Sequence, residues 1–198
     1  MEVDRFLEML MHGNQLKRTA RTGWVQRGVP APENVAAHTF GVAYTALLLA
    51  GQVGGELDMA AVLAMATLHD LPEGLTTDIT PAAWRYLPAG AKEIAERQAM
   101  SEIAGNTPLG RRMTAWWEAY RRNETPEAHL VHDADKLDQF LQAYVYELQT
   151  GNRQLEEFWS RPHVFYFPQA QAVYDKLRRV RATMKREPEG SKAVPPDA

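Results

Sequence analysis

Three stretches of this chain combine residue types and spacings that can bind a cation or move a proton. In Ala66–Glu73, ATLHDLPE, His69 and Asp70 stand side by side at the end of an apolar run, with Glu73 three residues beyond the pair. His38 lies upstream, on a face it shares with Val42, Thr45 and Leu49 at steps of three and four residues. The segment Val131–Asp138, VHDADKLD, offers a second His-Asp pair at His132-Asp133 and further acids after it. The chain has no cysteine, so disulfides, thiolate metal sites and cysteine nucleophiles are excluded, and any metal must be held by His, Asp, Glu or water. His38, His69 and Asp70 can supply three nitrogen and oxygen ligands from two helices and leave positions open, as a catalytic metal requires. Neighbours on a helix project about 100° apart, so His69 and Asp70 can share one ion only at a helix end or a local unwinding, and a fourth ligand must come from elsewhere. A lone His on an apolar face is most often a hydrogen-bonded core residue, and a His-Asp dipeptide is common by chance. A buried, unpaired carboxylate at Asp70 is costly, which leaves the packing and metal readings both open on the residues alone.

The elements that must position these groups read as helices. Phe6, Leu7 and Leu10 mark an amphipathic first helix, and GVPAP near residue 30 interrupts the chain before a helix starting at Pro32 or Glu33 and carrying His38. Asp58 is the expected N-cap of MAAVLAMATLHD, which is apolar nearly all round and therefore a central helix. Pro72 places the His69-Asp70 pair at or near that helix's C-terminal end. Further helices are expected near residues 90–104, 109–122, 125–149 and 169–186, with no strand alternation, repeat or internal linker. The expected fold is one all-α helical-bundle domain over residues 1–184, and residues 185–198, which contain EPEGSKAVPPDA, are expected to be a disordered tail.

Composition bounds the partners. A chain of 198 residues with 45% hydrophobic content can bury a substantial core. Its net charge of -3 argues against a broad grip on nucleic acid and leaves room for a small anionic ligand in a local cationic pocket. The start MEVDRFLEML carries acids among its first residues and lacks the basic start of a signal peptide. The uncharged run 34–55 contains Asn34, His38, Gln52 and several glycines, so it reads as a buried helix rather than a membrane span. A cytoplasmic protein with no membrane partner is expected.

Four blocks in order, LKRTARTGW, ENVAAHTFGVA, HDLPEGLTTDITP and HDADKLDQFLQAYVYE, cover roughly residues 16–150. They resemble the HD-domain phosphohydrolases, and among these the small 5′-deoxynucleotidase-like branch. The resemblance implies a helical bundle of the HD type and a His…His-Asp…Asp set around a divalent metal. That set maps onto His38, His69, Asp70 and, through the pattern x-A-D-x-L, Asp135. Periodicity alone favours Asp133, because Leu130, Ala134, Leu137, Leu141 and Tyr144 mark the apolar face, with Asp133 at its edge and Asp135 further round; the motif register is preferred and Asp133 is kept as the alternative. The resemblance further implies Glu73 as acid or base beside the metal, and Asp78 as a second acidic residue at the substrate's sugar and water network. Phosphate requires a cation, and Lys17, Arg18, Arg21 and Arg27 precede His38. The resembling nucleotidases carry an adjacent Arg-Trp pair; here Trp24 aligns and Arg21 stands three residues before it. Arg18 or Arg21 is therefore expected on the phosphate, with Trp24 on the nucleoside or, alternatively, in the core or a lid. Ala37 replaces an acid that relatives commonly place before the metal His, removing one carboxylate contact.

Two-metal relatives need extra His ligands between the His-Asp pair and the last Asp. Only His129 and His132 are available there, so one metal ion is expected, with ligands that suit Mn, Co, Fe, Zn or Mg. The expected activity is metal-dependent release of phosphate from nucleotides, foremost deoxynucleoside 5′-monophosphates. A nucleoside triphosphate hydrolase and a non-catalytic nucleotide-sensing protein are the alternatives. Glu73 and Asp78 argue against the last, because a structural metal needs neither. The resemblance also implies a homodimer; Trp116, Trp117 and Tyr120 are expected in packing or a dimer face. KLRRVRATMKR reads as a solvated basic helix, and no stable nucleic-acid binding is expected.

Overall fold

Side-chain caps set the registers on which the site depends. In the computed structural model, residues 2–184 are described, and among them seven helices of ten residues or more carry the fold. They are α1 (Val3–Gln15), α2 (Val35–Ala50), α3 (Met59–Leu68), α4 (Ala91–Ala104), α5 (Pro108–Arg122), α6 (Pro126–Thr150) and α7 (Pro168–Met184). Single turns lie between them, notably Leu16–Arg18, Thr22–Val25 and Glu73–Thr76. Asn34 accepts the Ala37 N–H at 2.9 Å and Asp58 the Ala61 N–H at 3.1 Å, opening α2 and α3. Thr107 and Thr125 cap α5 and α6, each followed by a proline whose missing N–H costs nothing in a first turn. The start of α2 falls later than Pro32 or Glu33. Asn34 is the better cap, and the Glu33 N–H is already taken by the Tyr146 hydroxyl at 2.8 Å.

Among the described residues there is no strand, only one antiparallel bridge between Ala20 and Asn34. The all-α expectation holds. No described helix is long and apolar enough to cross a membrane. The tail at 185–198, and the end of the helix expected to reach residue 186, lie outside the described residues.

Helix α2 packs along α6 and against α3; α5 closes over α3, and α7 lies on α6. Val42, Ala46, Val62, Ala66, Leu130 and Ala134 form the centre of the larger core. Leu68, Leu71, Met100, Ile103 and Trp117 form a second core under α4 and α5, and Trp116 touches both. Helix α3 thus passes from one core into the other just before His69. Of the three aromatics expected in packing or a dimer face, Trp117 is buried and Trp116 half-buried inside the bundle. Helix α7 exposes Arg178 and Arg179, but Arg181 departs from the solvated reading. It is buried, donates to Glu147 at 2.5 and 2.6 Å and to Glu156 at 2.7 Å, and lies over the Trp159 ring.

The helical wheel at α6 foretold burial of Asp133 but not its purpose. Asp133 is 1% exposed, and its two carboxylate oxygens accept the N–H groups of Tyr166 (3.0 Å) and Phe167 (2.8 Å). It ties the segment before α7 to the bundle. Asp133→Ala would leave two partly buried donors without partners, a cost of about 2–6 kcal/mol at roughly 1–3 kcal/mol for each unmet group. Urea unfolding should show the midpoint falling accordingly, with a smaller fall for Asp133→Asn, which keeps one acceptor.

Candidate metal centre

The His69-Asp70 pair owes its geometry to an early helix end. Helix α3 stops at Leu68; the His69 N–H still reaches the Met65 carbonyl at 2.9 Å, and the His69 carbonyl is taken by the Trp117 indole N–H at 3.2 Å. That bond satisfies a carbonyl which a helix end otherwise leaves open. The chain then passes through a tight turn into Glu73–Thr76, with the Glu73 N–H on the Asp70 carbonyl at 3.0 Å. Released from helical register, Asp70 brings Oδ2 to 3.2 Å from His69 Nε2. After Glu73–Thr76, Thr77 adopts a left-handed φ of 64°, a strained conformation for a β-branched residue. The bend returns Asp78 to the turn Thr22–Val25, where Oδ2 accepts the Thr22 N–H at 2.7 Å.

His38, from the first turn of α2, and Asp135, from α6, complete the cluster. His38 Nε2 lies 3.4 Å from His69 Nε2, 3.3 Å from Asp135 Oδ1 and 3.7 Å from Asp70 Oδ2. Two ligands each about 2.1 Å from one metal ion stand about 3.0–3.4 Å apart at octahedral or tetrahedral angles, which the His38–His69, His38–Asp135 and His69–Asp70 spacings suit. His38, His69 and Asp135 all bring ligand atoms within 4.8 Å of one another, and Asp70 adjoins that group through the two imidazoles. The tautomers agree. His69 Nδ1 lies 2.8 Å from the Ala66 carbonyl, and His38 Nδ1 2.7 Å from Asp138 Oδ2. Both partners can only accept, so both Nδ1 atoms carry hydrogen and each neutral ring turns an Nε2 lone pair inward. Two lone pairs and two carboxylates converging in a buried place repel one another unless positive charge joins them. Without a metal the chain supplies that charge by protonation. Burial opposes charge on His38, but its hydrogen bonds with Asp135 and Asp138 outweigh burial and hold it up at about 9. Asp70 and Asp135 are also desolvated, yet both are held below the ordinary carboxylate range, Asp70 chiefly by His69 and His38 and Asp135 by Lys136 and His38. The donor set fits a divalent cation.

Structure brings His38, His69, Asp70 and Asp135 together and leaves Asp133 elsewhere. His129 and His132 are also engaged away from the cluster, on the backbone carbonyls of Asn123 and Tyr120. A cavity of about 430 Å³ opens beside the cluster, with Arg21, Trp24, Glu73 and Asp78 among its walls. Arg21 reaches Asp70 Oδ2 at 3.3 Å. Arg18 does not line the cavity; it is exposed and donates to Gln15 at 2.6 Å. Trp24 is only 2% exposed, with its indole N–H on Glu33 at 3.0 Å and its ring against Tyr146 and Phe158. Sequence reasoning passed over Lys92, Lys136 and Phe158, which also line the cavity. Lys136 follows Asp135 directly and could have been found in the same block. Lys92 and Phe158 lie outside every block, and only the tertiary fold brings them in.

Glu73 is 9% exposed, and its Oε2 has no hydrogen-bond partner. Burial first, then the charges of Asp70 and Asp78, push its carboxyl up to about 9. A carboxyl raised on folding favours the native state below its unfolded pKa, and this contribution is lost as pH climbs through the folded value. In the metal-stripped chain, Glu73→Gln should therefore gain Tm relative to wild type progressively from about pH 4.5 to about 9. A gap that stays constant across this range in thermal melts would contradict the raised carboxyl.

The family model described as HD domain matches residues 13–172. A zebrafish (Danio rerio) protein named 5′-deoxynucleotidase HDDC2 is 32% identical over 91% of this chain and 90% of its own length. Its Dictyostelium discoideum namesake is 35% identical over 74% of this chain and 80% of its own length. A solved structure of a Pyrococcus furiosus protein, titled a conserved hypothetical protein, superposes with a TM-score of 0.74 at 36% identity, covering 87% of this chain and 99% of that one.

Proposed function

The chain belongs to the HD domain family, and on that premise we propose that it is a metal-dependent phosphohydrolase that releases phosphate from deoxynucleoside 5′-monophosphates. The observation that carries the proposal is the convergence of two imidazoles and two carboxylates beside a cavity whose wall includes Glu73, a buried acid with no hydrogen-bond partner at Oε2. The relatives named 5′-deoxynucleotidases support the choice of substrate. The cavity volume falls in the range of about 300–1,000 Å³ usual for small-molecule sites.

His38, His69, Asp70 and Asp135 would hold one divalent cation, drawn from Mn, Co, Fe, Zn or Mg. Bound there, such an ion supplies charge neutralisation at phosphate and makes water more acidic. The remaining work falls to the chain. Arg21, fixed by Asp70 and by the Asp78-anchored turn behind it, faces phosphate as a positioned guanidinium. Lys136 and Lys92 add positive charge on two other walls. Arg18 has no part in this reading. Glu73 sits in a desolvated place that raises its carboxyl, which suits it to hold a proton for a leaving 5′-oxygen. Asp78 holds the Arg21 turn and borders the space for the sugar. Trp24, braced by Glu33, forms the cavity's floor rather than a mobile stacking surface. A homodimer in the cytoplasm completes the proposal. Phe40 and Tyr44, exposed and stacked on α2, support the self-association.

A phosphate-release screen of deoxynucleoside and ribonucleoside monophosphates and deoxynucleoside triphosphates, repeated with each of the five metals, tests the reading. Release from deoxynucleoside monophosphates should dominate. His69→Ala and Asp70→Ala should abolish it with helicity kept, and Glu73→Gln should lower kcat about 100-fold or more while metal binding persists. Preference for triphosphates would replace the substrate assignment. Nucleotide binding in thermal shift without release under any metal would replace catalysis with sensing.

A further inference from the structure

Behind the cluster lies a contact that no role in the proposed reaction has yet used. His38 turns Nε2 inward and Nδ1 outward, toward α6, where Asp138 Oδ2 meets it at 2.7 Å. Asp138 sits three residues after Asp135, so one turn of α6 supplies a carboxylate to the inner side of the His38 ring and another to its outer side. This reach is possible only because the opposing residue of α2 is a glycine. Gly41 stands one turn beyond His38, and a Cβ there would fall inside the Asp138 carboxylate, within 2.7 Å of its Cγ. Both α2 and α6 are continuous helices through this region, so neither backbone can yield cheaply.

We infer that Asp138 and Gly41 are a positioning pair that locks the orientation and tautomer of the His38 ring and so sets the affinity of the proposed metal centre. The inference rests on that metal reading. A carboxylate accepts and never donates when ionised, so Asp138 keeps hydrogen on Nδ1 and the lone pair on Nε2. It also makes the ring a stronger donor to a cation. Gly41 acts one step further back: without a side chain it leaves the only gap through which the Asp138 carboxylate reaches the ring. Glu33, His38 and Asp138 also bring ligand atoms within 4.8 Å of one another, which raises the competing possibility of a second cation behind His38. The bonds made there oppose it. The Glu33 carboxylate accepts the Trp24 indole N–H at 3.0 Å, and His38 Nδ1 would have to give up the hydrogen that Asp138 holds.

Cobalt(II) titration of the full chelator-stripped chain, followed by visible absorption and calorimetry, tests the pair without recourse to turnover. Wild type should bind one ion per chain. Asp138→Ala should bind one ion about 10- to 100-fold more weakly with a changed visible band, and Asp138→Asn, whose side-chain oxygen still accepts, should recover much of the loss. Gly41→Ala should reproduce the weakening in the wild-type background. In the Asp138→Ala background, where the clash is gone, it should cost no further affinity and should raise thermal stability, as alanine does in a helix. Circular dichroism confirms folding of each variant. If wild type binds no cobalt, the metal reading and this inference fall together. If wild type binds and Asp138→Ala matches it in affinity and spectrum, only the positioning pair is overturned. Two ions in wild type and one in Asp138→Ala would assign Asp138 to a second site instead.

Discussion

Acceptors crowded into one buried place must be joined by positive charge, and most of this structure follows from meeting that need. His38 Nε2 stands 3.3–3.7 Å from His69 Nε2 and from the carboxylates of Asp70 and Asp135, and His69 Nε2 stands 3.2 Å from Asp70. An arrangement so costly in isolation survives because the elements bearing it have no freedom to relax. Helix α2 is clamped along α6 by fully buried small and branched residues, among them Val42, Ala46, Val131 and Ala134. The end of α3 is held by the Trp117 indole from α5, and Tyr120, one turn later, sets its ring edge-on to His69. Packing supplies the rigidity; the cluster supplies the need for a cation.

Helix α6 shows how much meaning one residue of register carries. Asp133, Asp135 and Asp138 fall within six residues and share a side-chain type, yet each meets a different environment. Asp133 faces the loop before α7 and holds two backbone donors. Asp135 faces His38 Nε2 and the cavity. Asp138 faces the back of the same imidazole. Rotation of α6 by a single residue step, about 100°, would put Ala134 or Lys136 where Asp135 stands and lose all three contacts. The Thr125 cap and the proline after it therefore bear on chemistry as well as on where the helix begins.

The coarse fold was legible because its signals are local. The cap at Asp58, 3.6-residue periodicity and the absence of alternation are all written within a few residues of where they act. The ordered blocks named four residues that the structure brings together, His38, His69, Asp70 and Asp135, and the helix end that adjacent ligands need falls at Leu68. What a helical wheel could not decide was Asp133 against Asp135. A wheel counts burial, and burial has two causes here: backbone donors around Asp133 and a polar cluster around Asp135. Arg18 and Arg21 were equally unresolved, being three residues apart in a basic stretch. The turn Leu16–Arg18 leaves Arg18 in solvent, and the Asp78 bond to Thr22 brings Arg21 in. That bond spans 56 residues and depends on the unusual φ of Thr77, information absent from any local pattern. Lys92 and Phe158 reach the cavity from segments with no motif at all.

Charge balance explains why a cavity meant for an anion is walled by so many acids. Among the described residues lining it are five acids, Asp70, Glu73, Asp78, Asp135 and Glu157, and four bases, Arg21, Arg27, Lys92 and Lys136. Arg27 is drawn to Glu157 at 2.7 Å and lies over Phe158, so that pair neutralises itself at the outer wall. Glu73, kept protonated by burial and by its acidic neighbours, removes one negative charge, which brings the remainder to balance. Nothing in such a cavity strongly attracts a phosphate until a divalent cation joins the cluster. On the proposed reading, the acids that would hold the cation also discourage an anion from occupying the metal-free site. Glu73 gains its proton from the same neighbours that repel phosphate, so the cation requirement and the retained proton share one physical cause: carboxylates gathered where water cannot screen them.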